Sequence, residues 1–264
     1  MIGYVTMGMA LIPMVVPMLG GFLDQLFGWQ SVFAFTFVFG LAVTALLWAD
    51  LGETNRTPSS SMMAQVAAYP ELLRSPTFWG FSATAALGSG TFFAFLGGGP
   101  WVATHVLGMS PAAFGFYFGF ISAGYVLGNF LSGRYARRFG LGGMMLAGGL
   151  VATAGVLLGL GLLAAGIVTP LAFFGAILFV GVGNGLLLPS ANAGIVSVQP
   201  HLAGSASGLG GALLVGGGAA MSVLGGALLG PGTGAWPLLW VMLATSSLGL
   251  ATTLLVLRTE TDGR

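Results

Sequence analysis

Several runs of about 20 residues in this chain carry no charge at all, and a helix of that length crosses the hydrocarbon core of a bilayer. Only seven basic and six acidic side chains are spread over 264 residues. Charged residues make up 5% of the chain, against about 25% in ordinary soluble domains, so a polar shell around a soluble core of this size is not available. Membrane β-barrels are disfavoured as well, because their strands are about 10 residues long and alternate apolar with polar positions. The sequence therefore predicts an all-α fold, a polytopic membrane helix bundle with about eight transmembrane helices.

The interruptions between apolar runs place the spans at about 1–23, 30–50, 77–100, 111–132, 142–165, 170–196, 204–229 and 235–257. Asp24-Gln25 and Gly28 separate the first two. The longest polar stretch, Asp50 to Pro76, reads as the main interdomain loop and is expected to hold a short interfacial helix within Met62 to Leu73. Gly108-Met109-Ser110-Pro111 breaks the next pair, with Ser110 suited to the N-cap and Pro111 to the first helical position. Gly133 to Gly140, Gly166 to Pro170, Gln199 to Ala203 and Gly230 to Gly234 supply the remaining connections.

Every basic residue is arginine, and the arginines test this layout. With connections numbered alternately from Met1, Arg56, Arg74, Arg134, Arg137, Arg138, Arg258 and Arg264 all fall on one side. The other side receives Asp24 and His105 and no arginine or lysine. The positive-inside rule makes the arginine side the cytoplasm, with both termini on it. One helix more or fewer would scramble the segregation.

Chemistry of an enzymatic kind has little to stand on, and no catalytic residue, metal site or cofactor is expected. Cysteine is absent, which excludes thiolate ligands and disulfides. No Asp, Glu, Arg or His falls near the middle of a span, and His105 and His201 belong to loops on opposite sides. Serines such as Ser89 and Ser207 have no histidine in reach, and a net charge of +1 gives no reason to expect nucleic acid.

The polar residues within spans are uncharged: Asn129, Asn184, Asn192, Thr91, Ser122 and Tyr125. An amide in hydrocarbon must bond another helix or face water. Interhelical bonding is the plainer account of Asn184 and Asn192, and lining of an aqueous cavity the functional one. Gly181, Gly183 and Pro189 predict a bend around Asn184, and Gly97-Gly98-Gly99 before Pro100-Trp101 predicts a break near the outer end of the third helix. Gly155/Gly159, Gly181/Gly185, Gly204/Gly208 and Gly226/Gly230 have the spacing that lets helices pack closely in lipid. Aromatic side chains cluster at Phe92, Phe93 and Phe95 and again from Phe114 to Phe120, where most suit lipid or helix packing and a subset suits flat, amphipathic ligands.

The order of these motifs resembles the major facilitator superfamily, and within it the drug/proton antiporters related to bicyclomycin resistance (the Bcr/CflA branch). Pro17-Met18-Leu19-Gly20-Gly21, followed by Phe27-Gly28-Trp29 and Phe33, resembles the proline–glycine motif of the fifth helix. Leu51-Gly52-Glu53-Thr54 is similar to the signature that ends the sixth. Phe93-Ala94-Phe95, Gly99-Pro100-Trp101-Val102, Gly108-Met109-Ser110-Pro111 and Phe114-Gly115 resemble the seventh-to-eighth-helix region. Pro189-Ser190-Ala191-Asn192 and Ala203 to Gly208 resemble the tenth and eleventh helices. Arg134-Tyr135-Ala136-Arg137-Arg138 is similar to the cytoplasmic gating motif but departs from it, with Gly133 where aspartate is usual and Ala136 where glycine is.

The resemblance implies two six-helix halves. It assigns 1–50 to the last two helices of the first half, 51–76 to the central cytoplasmic loop, 77–258 to the complete second half and 259–264 to a cytoplasmic tail. The chain would then lack four helices that usually carry proton-coupling residues, and is expected not to transport alone. The implied function is proton-coupled efflux of drugs or small amphipathic metabolites by alternating access across a bacterial inner membrane. The partners are the lipid bilayer, a small-molecule substrate and protons bound through the missing helices. Cavity candidates are Phe93, Trp101, Phe120, Asn184 and Asn192, while Pro17, Gly20 and Gly21 would bend the fifth helix. An uptake or metabolite facilitator of the same fold and a non-transporting membrane subunit are the competing readings.

Overall fold

The structure, a computed structural model, describes residues 16–50 and 69–262, with side chains described up to Arg258. Helices dominate and are numbered here in chain order. Helix α1 covers 16–27, α2 Gln30–Asp50 and α3 the five residues Tyr69–Leu73. Helix α4 is Pro76–Trp101 and passes into a π-helical turn, Val102–Val106. The long run Pro111–Ala164 is interrupted by non-helical Gly140 and divides into α5 (111–139) and α6 (141–164). Helices α7 (Pro170–Ser197), α8 (Ala203–Ala227) and α9 (Trp236–Asp262) complete the bundle.

Five helical stretches are long and apolar enough to cross a membrane, and one of them is the α5–α6 run that Gly140 divides. Helix α4, 26 residues without an ionisable side chain, has the length but a more mixed composition of glycine, serine, threonine and aromatics. Its mid-portion is enclosed by protein rather than turned to lipid, so hydropathy need not be extreme there. The predicted loop 51–76 lies largely outside the described residues, together with Glu53 and the Leu51–Thr54 motif. Its last part does form a short helix, α3, whose Leu72 is fully buried.

Helix starts follow from local chemistry. Ser75, Ser110 and Thr169 each precede a proline, and each side-chain oxygen accepts from the backbone N–H three residues on, at 3.3, 3.2 and 3.2 Å. The caps satisfy N–H groups that the first helical turn leaves without partners, and the prolines have no N–H to satisfy.

Two connections differ from expectation. The arginine stretch Gly133 to Gly140 is not a loop: α5 stays helical to 139, and the chain turns at Gly140 alone, at φ 70° and ψ 175°. A side chain would be strained at that φ, whereas glycine adopts it freely. Arginines sustain a helix well and reach water from its end, so the charged cluster marks a membrane surface without breaking the helix. Pro100 likewise does not end α4. Beyond Trp101 the helix widens, and the N–H of Leu107 reaches the carbonyl of Val102 at 3.0 Å, five residues back.

The six helices α4 to α9 run alternately up and down around two apolar clusters at opposite ends. Phe95, Phe118, Phe174, Leu238 and Met242 anchor one. Phe78, Met145, Leu187, Ile195 and Val256 anchor the other, with Leu72 beside them. At that second end His201, between α7 and α8, lies 3.5 Å from Glu71 of α3. Arg74, the 134–138 cluster and Arg258 occupy helix ends on this same side, which agrees with the predicted alternation.

Helix contacts are made through glycine. Gly124 and Gly128 of α5 meet the backbone of α7, and a Cβ on Gly185 would lie 2.7 Å from the Asn129 nitrogen and 2.8 Å from Gly128 Cα. Of the four predicted pairs, Gly181/Gly185 and Gly155/Gly159 do pack helices together. Gly226 lies against Gly97, while Gly204, Gly208 and Gly230 have open space around them. Helix α1 joins the bundle similarly: a Cβ on Gly115 would stand 2.7 Å from the Pro17 carbonyl oxygen. Helix α2 has no buried residue.

Candidate substrate cavity

Between the two clusters lies a cavity of about 220 Å³. Its level can be read along α4, where Ala85 belongs to one cluster and Ala94 to the other, and Ser89, Phe92 and Phe93 line the space between. On α7, Val180 and Leu187 mark the same two limits, with Gly181 and Asn184 between them and Leu188 below. Helix α5 adds Ile121, Ser122 and Tyr125, and α8 adds Leu214. Four helices thus surround the cavity, and Asn184 stands near the middle of the 28-residue α7.

Among the described residues, the wall contains no Asp, Glu, Lys, Arg or His. Its polar groups are two hydroxyl-bearing serines, the Tyr125 phenol and the Asn184 carboxamide. Ser89 donates to the Ala86 carbonyl at 3.2 Å, which occupies its proton. Asn184 is 3% exposed, and its amide has no hydrogen-bond partner among the described residues. The plainer account of Asn184, interhelical bonding, therefore lacks a bonding partner there. Asn129 behaves differently, donating to the Tyr125 carbonyl at 2.9 Å within its own helix. Phe93 packs edgewise against Phe92, with ring centroids 6.1 Å apart, and also covers Gly218 of α8.

Two of the five predicted cavity residues, Phe93 and Asn184, meet at this wall. Trp101 stands at the far end of α4, stacked on His105 with centroids 4.9 Å apart. Phe120 stacks on Tyr117 at 5.6 Å outside the wall. Asn192 is exposed, close to the end of α7. Sequence reasoning passed over Ser89, Phe92 and Leu214 as wall residues. The available signal was helical spacing: Ser89, Phe92 and Phe93 fall three and four apart on one face of α4.

The other predicted positions serve packing or surface. Gly21 lies against α5, where a Cβ would stand 2.5 Å from the Pro111 carbonyl oxygen, while Gly20 has open space. Arg134, Arg137 and Arg138 are exposed at the end of α5, and none makes an ion pair among the described residues. Arg138 lies over the Phe139 ring at 5.5 Å.

A bundle of long apolar helices around a cavity midway along them defines a polytopic membrane protein. The chain belongs to the Major Facilitator Superfamily, whose family model matches residues 1–223. It is 28% identical over 250 residues to a chloramphenicol resistance protein of Pseudomonas aeruginosa, covering 92% of this chain and 58% of that protein. A bicyclomycin resistance protein homolog of Haemophilus influenzae is 28% identical over 235 residues, covering 83% of this chain and 56% of its own length. An MFS-type transporter of Bacillus subtilis is 32% identical over 132 residues, which is 48% of this chain and 33% of the relative. The chain thus spans a little over half of the two resistance proteins.

Proposed function

We infer that this chain provides the substrate chamber of a drug-efflux carrier that works by alternating access in a bacterial inner membrane. The carrying observation is the chamber itself: lined by four helices midway along their length, with both aromatic rings and hydrogen-bonding groups on its wall. The names of two relatives, resistance proteins for chloramphenicol and bicyclomycin, support export as the direction. In the proposed carrier, helices α4 to α9 form one six-helix half, and α1 and α2 belong to the other. The arginine-bearing helix ends face the cytoplasm. The carboxylates of the long described helices, Asp24, Asp50, Glu260 and Asp262, stand near helix ends rather than mid-span, so proton binding is assigned to residues beyond the described ones.

Accumulation of radiolabelled chloramphenicol in a drug-hypersensitive bacterium tests the reading. Cells expressing a whole carrier that contains this chain should hold less drug than control cells, and collapse of the proton gradient should abolish the difference. Equal accumulation with and without that carrier in the membrane would sink the drug-efflux reading.

A further inference from the structure

Resting on that reading of the chamber, we propose that it selects uncharged, ring-bearing ligands, with the Asn184 carboxamide as the specificity-determining group. Three observations carry this. The cavity of about 220 Å³ exceeds the roughly 150 Å³ that accepts benzene in an engineered protein core, and it is partly open, so it admits at least one substituted ring. Phe92 and Phe93 offer rings against which such a group packs.

The second observation is the state of Asn184. Its side chain is almost fully enclosed, reaches the cavity wall and bonds no described residue. A carboxamide carries two donors and an acceptor, and at the cavity wall these meet whatever fills the cavity, water or ligand. A ligand amide or hydroxyl replaces that water with a direct bond. The Tyr125 hydroxyl, on the same wall and likewise without a described partner, provides a second donor.

The third observation is that no carboxylate stands on the wall among the described residues. A ligand cation would surrender its hydration and meet only ring faces and neutral dipoles. Rings attract cations, but a buried unpaired charge costs more than that attraction returns. An amide of the same shape loses little by comparison and gains the Asn184 contact.

The test uses the purified 264-residue protein in lipid nanodiscs and two fluorinated probes of nearly equal shape. These are 4-fluorobenzamide, which is neutral, and 4-fluorobenzamidine, which is protonated at neutral pH; binding is followed by fluorine NMR. The amide should bind about tenfold or more tightly than the amidinium. Asn184→Leu should weaken the amide about three- to tenfold relative to fluorobenzene, and Tyr125→Phe should do so more mildly. Asn184→Asp should reverse the preference toward the amidinium. Tighter binding of the amidinium by the unaltered protein, lost on Phe93→Ala, would keep the chamber as the ligand site and overturn its uncharged selectivity. Binding of neither probe would overturn the chamber as a ring-binding site altogether.

Discussion

Gly148 of α6 and Gly183 of α7 touch backbone to backbone: a methyl group on either would lie 2.5 Å from the carbonyl oxygen of the other. Gly181 and Gly185, on a neighbouring face of α7, meet α5 in the same way. Helix α7 is thus held between two helices by glycine, with Asn184 fixed among these contacts. Lipid gives helices no hydrophobic reason to associate, so close backbone approach and the dispersion it permits do much of that work.

Gly183→Ala should therefore separate α7 from α6 and destabilise the bundle by about 1–3 kcal/mol, as overpacking of a close-packed interior does. Gly204→Ala, where nothing lies within 4 Å, should stay within about 0.5 kcal/mol of the parent. Unfolding in detergent followed by circular dichroism compares the two directly. Equal stability of both variants would contradict the glycine contact.

Helices α4 and α9 are joined by hydroxyl pairs: Thr91 with Thr245 and Thr84 with Thr252, each at 3.1 Å. The pairs recur seven residues apart on both helices in antiparallel order, two turns from one another. Interhelical hydrogen bonds in membranes average about 0.6 kcal/mol. A double-mutant cycle of Thr91→Val and Thr245→Val should return a coupling of about that size, and the double variant should remain folded. Strictly additive losses would show that the pair does not act as one bond.

Because the sequence contains no cysteine, single introduced thiols report position without background. Gly133→Cys, on the arginine-bearing end, should react with a membrane-impermeant maleimide only after spheroplasts are permeabilised. Pro231→Cys, in the connection between α8 and α9, should react in intact spheroplasts. The opposite pattern would invert the proposed orientation.

Much of the fold was legible because bilayer thickness imposes helix length and arginine placement imposes topology. Ser110-Pro111 announced a helix start, and Thr169-Pro170 has the same form. The arginine cluster misled because charge was read as loop, whereas a helix can carry charge past the membrane surface, as α5 does to 139. The site was only half legible. Asn184 and Asn192 lie on one helix about 80° apart, at 100° per residue, and one is enclosed while the other is exposed. In a soluble helix an apolar stripe identifies the buried face, but here both faces of α7 are apolar and no stripe distinguishes them. Phe93 and Phe120 pose the same problem, since lipid and cavity accept the same side chains.

The most direct test of the chamber is protection of an introduced thiol. Ser89→Cys places a sulfur on the cavity wall of an otherwise cysteine-free protein, and its alkylation rate by a small maleimide can be followed with increasing chloramphenicol. Ligand in the chamber should slow alkylation at position 89 in a saturable manner and leave Gly133→Cys unaffected. An unchanged rate at position 89, measured where the drug demonstrably binds the protein, would place the ligand elsewhere and contradict the account.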